Sequence, residues 1–186
     1  MTPAETQERT IRSLGEGVTR NDDAQLTALF ARMCRTWSEG DAKAYGDCFT
    51  ADCDYVSFDG TRAKGRAVMV ESHDKLFRGV LFGSALVGEV ESIRYLSDDV
   101  ALVHGPGSVL VAWRSELPKR RLTRNTIVAV RGSEGWRFSA IHNGRVRPMG
   151  IPEPNSLPAR MAKVLVRVSR ALGIGRAGAV QGPFKA

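Results

Sequence analysis

Apolar residues recur first with a helical period and then with a strand period, and the change falls near Gly83. After the cluster Asn21-Asp22-Asp23, suited to a helix N-terminus, Leu26, Leu29, Phe30, Met33, Cys34 and Trp37 mark one buried helix face that Gly40 stops. Asp41 caps a second, short helix in AKAYGDCF. The following CDYVSFDG predicts a short strand ending in an Asp59-Gly60 turn, and the loop TRAKG returns the chain to helix. The third helix, over roughly 66–82, has an apolar face through Met69, Leu76, Phe77 and Val80, and His73 falls on it four residues from Met69. His73 is therefore expected to point inward.

Beyond Gly83 strands are predicted near 85–96, 100–114, 121–131 and 136–145. Ser97-Asp98-Asp99, Glu116-Leu117-Pro118 and Gly132-Ser133-Glu134-Gly135 read as hairpin connections, and HGPGS at 104–108 as a bulge or bend. Three helices and then a meander predict an α+β domain in which a strongly bent antiparallel sheet wraps the helices. Residues 1–20 carry no sustained periodicity and read as a flexible arm, leaving 21–146 as the folded domain. Over 147–186, RPMGIPEPNSLP is a Pro-rich linker, and roughly 156–172 predict an amphipathic helix. Its apolar face holds Leu157, Met161, Val164, Leu165, Val168 and Leu172, and another face holds Arg160, Lys163, Arg167 and Arg170. The closing GIGRAGAVQGPFKA is expected to be flexible.

Composition changes this picture mainly through where the charge lies. A chain of 186 residues with 42% hydrophobic residues suits one domain plus tails. The formal charge is +7, but residues 147–186 hold seven Lys and Arg against the single acid Glu153, so the body is nearly neutral. Nucleic acid is accordingly not an expected partner of the body. The tail helix is a candidate contact for an anionic surface or an acidic partner enzyme, unless its apolar face packs on the body or a dimer while the arginines stay solvated. Three cysteines (Cys34, Cys48, Cys53) without CxxC or zinc-finger spacing predict buried thiols and neither a disulfide framework nor a metal. With no apolar leader and no run of membrane-spanning length, a soluble cytoplasmic protein is expected.

The order TWSEGDAKAYGDCFTADCDYVSFDGTRAKGRAVMVESHDKLF, then LVHGPG, then RNTIVAVRGSEGWRFSAIHNGRV, resembles the SnoaL-like branch of the nuclear-transport-factor-2-like superfamily. It is most similar there to the SgcJ/EcaC-type proteins of natural-product pathways, over about residues 24–146. The resemblance implies a cone-shaped α+β barrel around an apolar pocket, commonly in a homodimer packed through the sheet. It implies no single function, because members isomerise, cyclise, dehydrate, hydrolyse epoxides or only bind. The ketosteroid-isomerase-like members carry a carboxylate base near the end of the first strand, where this chain has Ser57 or Phe58.

Within such a pocket the candidate chemistry is acid/base. Strict alternation along the last strand puts Trp136, Phe138, Ala140 and His142 on the pocket face, with Arg137, Ser139, Ile141 and Asn143 opposite. His142 and His73 could then divide proton donation and abstraction, since burial and mutual repulsion separate their pKa values. Each could equally be a satisfied core residue. On the first strand, Asp54 or Tyr55 could supply a base or an oxyanion donor, the two lying on opposite faces with the register open by one residue. Trp37, Tyr45, Phe138 and Trp113 are candidate pocket walls, and Asn143 a candidate binding group. Arg124 and Asn125 straddle the sheet, and an inward Arg124 would anchor a carboxylate, phenolate or polarised carbonyl. No dinucleotide fingerprint, P-loop or metal-ligand cluster is present, so any isomerase, cyclase or lyase chemistry is expected to need no cofactor. The expected ligand is a hydrophobic, polyketide-like metabolite, either as substrate or as the cargo of a non-catalytic carrier.

Overall fold

The structure, a computed structural model, describes residues 20–147 and 150–173. The expected arm at 1–20 (apart from Arg20) and most of the closing GIGRAGAVQGPFKA lie outside the described residues. The chain divides into two compact units, Met1–Val146 and Arg147–Ala186.

In the first unit, helix α1 (Arg20–Ser38) buries Leu26, Leu29, Phe30, Met33 and Trp37, the face set by its periodicity. Gly40, at a φ of 71°, takes the left-handed conformation that ends it. The Asp41 carboxylate then accepts a hydrogen bond from the Ala44 N–H at 2.9 Å and caps helix α2 (Ala42–Gly46). Strand β1 (Phe49–Val56) starts earlier than its pattern suggests and turns through Asp59-Gly60 into a short strand β2 (Arg62–Lys64), where a loop was expected. Helix α3 (Arg66–Arg78) follows, and its buried residues, Met69, His73 and Phe77, are spaced four apart on one face. Strands β3 (Ala85–Gly88), β4 (Ser92–Ser97), β5 (Val100–Leu110), β6 (Thr123–Gly132) and β7 (Gly135–Arg145) complete the unit.

The seven strands form one curved sheet in the order β2-β1-β7-β6-β5-β3, with β4 also paired to β5. The expected antiparallel meander is corrected at one place: β1 lies parallel to β7, so the sheet is mixed. Periodicity shows which face of a strand is buried but not which strand lies beside it, and the β1–β7 pair closes only after most of the unit intervenes. As the order along the chain predicts, β1 lies between α2 and α3, and β2 joins it there.

Of the bulge or bend expected at HGPGS, only the bulge is corrected. Residues His104 to Gly107 pair with Thr126 to Thr123 without a register shift, so no bulge faces β6. The change is at the other edge of β5, where the partner switches from β4 to β3 and the Glu89 N–H donates to the Pro106 carbonyl. A Cβ at Gly105 would lie 1.9 Å from the Glu89 carbonyl oxygen, so the crossing segment needs a glycine beneath it.

The core joins the α1, α2 and α3 faces to the inner sheet face through Phe49, Cys53, Tyr55, Val103, Ile127, Phe138 and Ile141. One polar staple ties the start of α1 to the sheet. Buried Asp22 forms an ion pair with Arg131, whose Nη2 lies 2.8 Å from its Oδ1, and accepts a hydrogen bond from Trp136 Nε1 at 3.2 Å, while the Arg131 guanidinium lies 4.7 Å from the centroid of the Trp136 ring. Beside it, the Tyr95 hydroxyl donates to Asp23 at 2.7 Å.

The second unit contains helix α4 (Leu157–Ala171), none of whose side chains is buried. No helix among the described residues is long and apolar enough to cross a membrane.

Candidate functional site

The inner face of β7 is decided by one extra residue. Ala129 pairs with Phe138 and Val128 with Ala140, which leaves Ser139 as a bulge. Because side chains alternate with period two, one inserted residue moves every later side chain to the other face. Trp136 and Phe138 point inward as expected, but beyond the bulge the inward residues are Ile141 and Asn143. His142 is exposed on the outer face, paired with exposed Thr126 and lying in one cross-strand row with His104. The expected placement of His142 in the pocket is thus overturned.

Three other candidates also point elsewhere. Asp54 faces outward, with its Oδ1 2.6 Å from Arg62 Nη2, and that guanidinium holds its carboxyl below the usual range. Arg124 faces outward and pairs with Glu91, leaving Asn125 as the inward member of the straddling pair. Trp113 follows the end of β5 and is 72% exposed, so it walls no interior space. For Asp54 and Arg124 alternation was legible, but which face meets the core depended on a partner strand elsewhere in the chain, whereas Trp113 lies beyond the end of β5 at Leu110.

The remaining candidates converge. His73 comes from α3, Trp37 from α1, Tyr45 from α2, Tyr55 from β1 and Asn143 from β7. The His73 imidazole is surrounded by the rings of Tyr45 at 4.9 Å, Tyr55 at 5.0 Å, Trp37 at 5.4 Å and Phe77 at 5.8 Å, measured between centroids. Phe138 lies one ring further back, against Phe49, which itself touches Tyr45 and Tyr55. The Trp37 indole N–H donates to Ser84 Oγ at 3.2 Å, which fixes that wall.

Two features give this cluster chemical direction. His73 Nδ1 lies 2.8 Å from the Met69 carbonyl oxygen, and a carbonyl only accepts, so Nδ1 carries the proton. In the neutral ring Nε2 is then an acceptor, and among the described residues nothing hydrogen-bonds to it. Burial holds the His73 pKa below the usual histidine value, against the smaller upward effect of the Met69 carbonyl, so the ring is neutral at pH 7.

The second feature is the Tyr55 hydroxyl, which accepts from Asn143 Nδ2 at 3.3 Å. Burial raises its pKa, while the neighbouring Tyr45 hydroxyl and the Asn143 amide act the other way, so Tyr55 stays a protonated phenol at neutral pH. With its oxygen accepting from Asn143, its own O–H remains as a donor. Asn125, cross-strand from Asn143, extends the polar end, its Oδ1 accepting from Thr123 Oγ1 at 3.3 Å. Asn125 was legible only as one of two alternatives.

Among the described residues no three of His, Cys, Asp and Glu come together as a set that could hold a metal ion. What the cluster offers is one neutral base and one phenolic donor inside aromatic walls.

No family model matches the chain, and no curated protein matches it. Solved structures do. A protein of unknown function with a cystatin-like fold from Nostoc punctiforme superposes with a TM-score of 0.66 at 23% identity, covering 84% of this chain and 97% of that one. An NTF2-like protein with a cystatin-like fold from Novosphingobium aromaticivorans gives 0.59 at 22%, covering 76% and 88%. A proposed aromatic ring hydroxylase from the same organism gives 0.59 at 17%, covering 72% and 94%. At these identities the likeness is one of fold, an α+β NTF2-like, cystatin-like architecture.

Proposed function

We propose that the His73 cluster is the active site of a cofactor-free acid/base enzyme acting on a hydrophobic, polyketide-like aromatic or polyene metabolite. The single observation that carries this reading is the buried, neutral imidazole whose Nδ1 is held by the Met69 carbonyl while Nε2 has no partner. With Nδ1 occupied, Nε2 is the ring's remaining acceptor and is open to a ligand proton. The resemblance to SgcJ/EcaC-type and other SnoaL-like proteins supports a natural-product setting, and the NTF2-like fold neighbours are compatible with it. The resemblance also favours a homodimer.

The chemistry that fits is proton transfer next to a carbonyl. His73 Nε2 removes a proton from carbon, the C–H electron pair moves into a C=C bond, and the carbonyl π electrons move onto oxygen. That oxygen is met by the Tyr55 O–H, which Asn143 and Tyr45 make a better donor. Return of the proton from the imidazolium to a different carbon completes an isomerisation, while loss of a neighbouring hydroxyl as water completes a dehydration.

The aromatic rings around His73 equally suit a carrier that stacks a flat ligand without turning it over. One experiment separates these readings: native mass spectrometry of the protein from its own cells, followed by incubation of the retained compound in deuterated water. An enzyme incorporates deuterium with wild type and not with His73→Phe, although both retain the compound. A carrier retains it with no exchange in either. An empty wild-type protein would sink both.

A further inference from the structure

We infer that helix α4 is a docking element for an anionic lipid surface. On a helix of 3.6 residues per turn, Val164, Leu157, Val168, Met161 and Leu165 fall within about 100° of arc, while Arg170, Lys163, Arg167 and Arg160 fall within about 80° on the far side. Val166 and the small or polar residues Ala159, Ala162 and Ser169 lie between or beside these arcs, and the helix contains no acid. Leu157 is 70% exposed and Leu165 66%, so the apolar arc stands in water. Ser156 begins the helix, Pro158 sits in its first turn, and Lys163 Nζ donates to the Pro154 carbonyl at 3.0 Å, holding the linker against the cationic side.

The two arcs together select the partner. A nucleic acid would neutralise the cations but leave the apolar arc in water. A second copy of the helix would cover the apolar arc but bring eight cations together without an acid. An anionic bilayer satisfies both, because the apolar arc sinks below the headgroups while the long Arg and Lys stems reach up to the phosphates. At 15 residues the helix is about 22 Å long and lies in the interface rather than crossing it.

The test is co-sedimentation of the full chain with extruded vesicles, either phosphatidylcholine alone or phosphatidylcholine and phosphatidylglycerol in equal parts. Wild type is expected to pellet with the anionic vesicles and to stay in solution with the neutral ones. Each cation near such a surface is worth roughly fivefold in partitioning, so R160Q/K163Q/R167Q/R170Q should bind several-hundred-fold more weakly. Glutamine keeps helix propensity, and an unchanged circular dichroism melt shows that this variant still folds. M161Q/L165Q should also lose binding, which separates insertion from charge attraction alone. Equal pelleting with both vesicle types, no pelleting with either, or unchanged binding by the quadruple variant would overturn the inference. Retention on duplex DNA without vesicle binding would overturn it in favour of nucleic acid.

Discussion

Replacing His73 by phenylalanine tests whether the buried imidazole is neutral in the folded protein. His73 is 4% exposed, and burial depresses its pKa, whereas in the unfolded chain it returns to about 6.5. Between those two values the unfolded chain binds the extra proton and the folded protein does not. Stability therefore falls as pH drops below about 6.5, and it levels off only under the depressed folded value. If the folded ring stays neutral through pH 5, protonation of the unfolded chain between pH 7 and pH 5 removes about 2 kcal/mol. In His73→Phe this component is absent. Urea unfolding of both proteins at pH 7, 6 and 5, followed by tryptophan fluorescence, should show wild type losing up to about 2 kcal/mol more than the variant. At pH 7 the variant forfeits the Met69 hydrogen bond and should be less stable by about 1 kcal/mol. Stability curves that run parallel in pH would refute the neutral, desolvated imidazole and with it the base assigned to the site.

Asp22→Ala leaves the Arg131 guanidinium without its buried carboxylate and Trp136 Nε1 without that acceptor, and should cost about 3 kcal/mol by chemical denaturation, with much of the loss recovered by adding Arg131→Met. Gly105→Ala would force a Cβ against the Glu89 carbonyl, which is backbone and cannot swing away, so a loss of about 3 kcal/mol or more is expected in the same assay. His142→Ala, on the exposed outer face, should change stability by less than about 0.5 kcal/mol and leave ligand retention in native mass spectrometry intact. Asn143→Leu should weaken retention of that ligand, because it removes the donor that holds the Tyr55 hydroxyl.

Helical and strand periods along the chain determined α1, the α3 face carrying Met69, His73 and Phe77, and strands β5, β6 and β7, because burying one face of each element requires that spacing, whereas the single strand expected near 85–96 is two, β3 and β4. The Asp41 cap and the Asp59-Gly60 turn were legible for the same local reason, a side chain or a positive φ acting within a few residues. Tertiary structure alone decided which residues meet around His73. Pairing of β1 with β7 turned Tyr55 inward and Asp54 out, and the Ser139 bulge exchanged His142 for Asn143. A period-two pattern carries no information about an inserted residue until the partner strand is in place, since only the partner's register shows that one residue has been skipped. The fourfold spacing of α3 needs no partner to be read. That is why the histidine on the helix was placed correctly and the histidine on the strand was not.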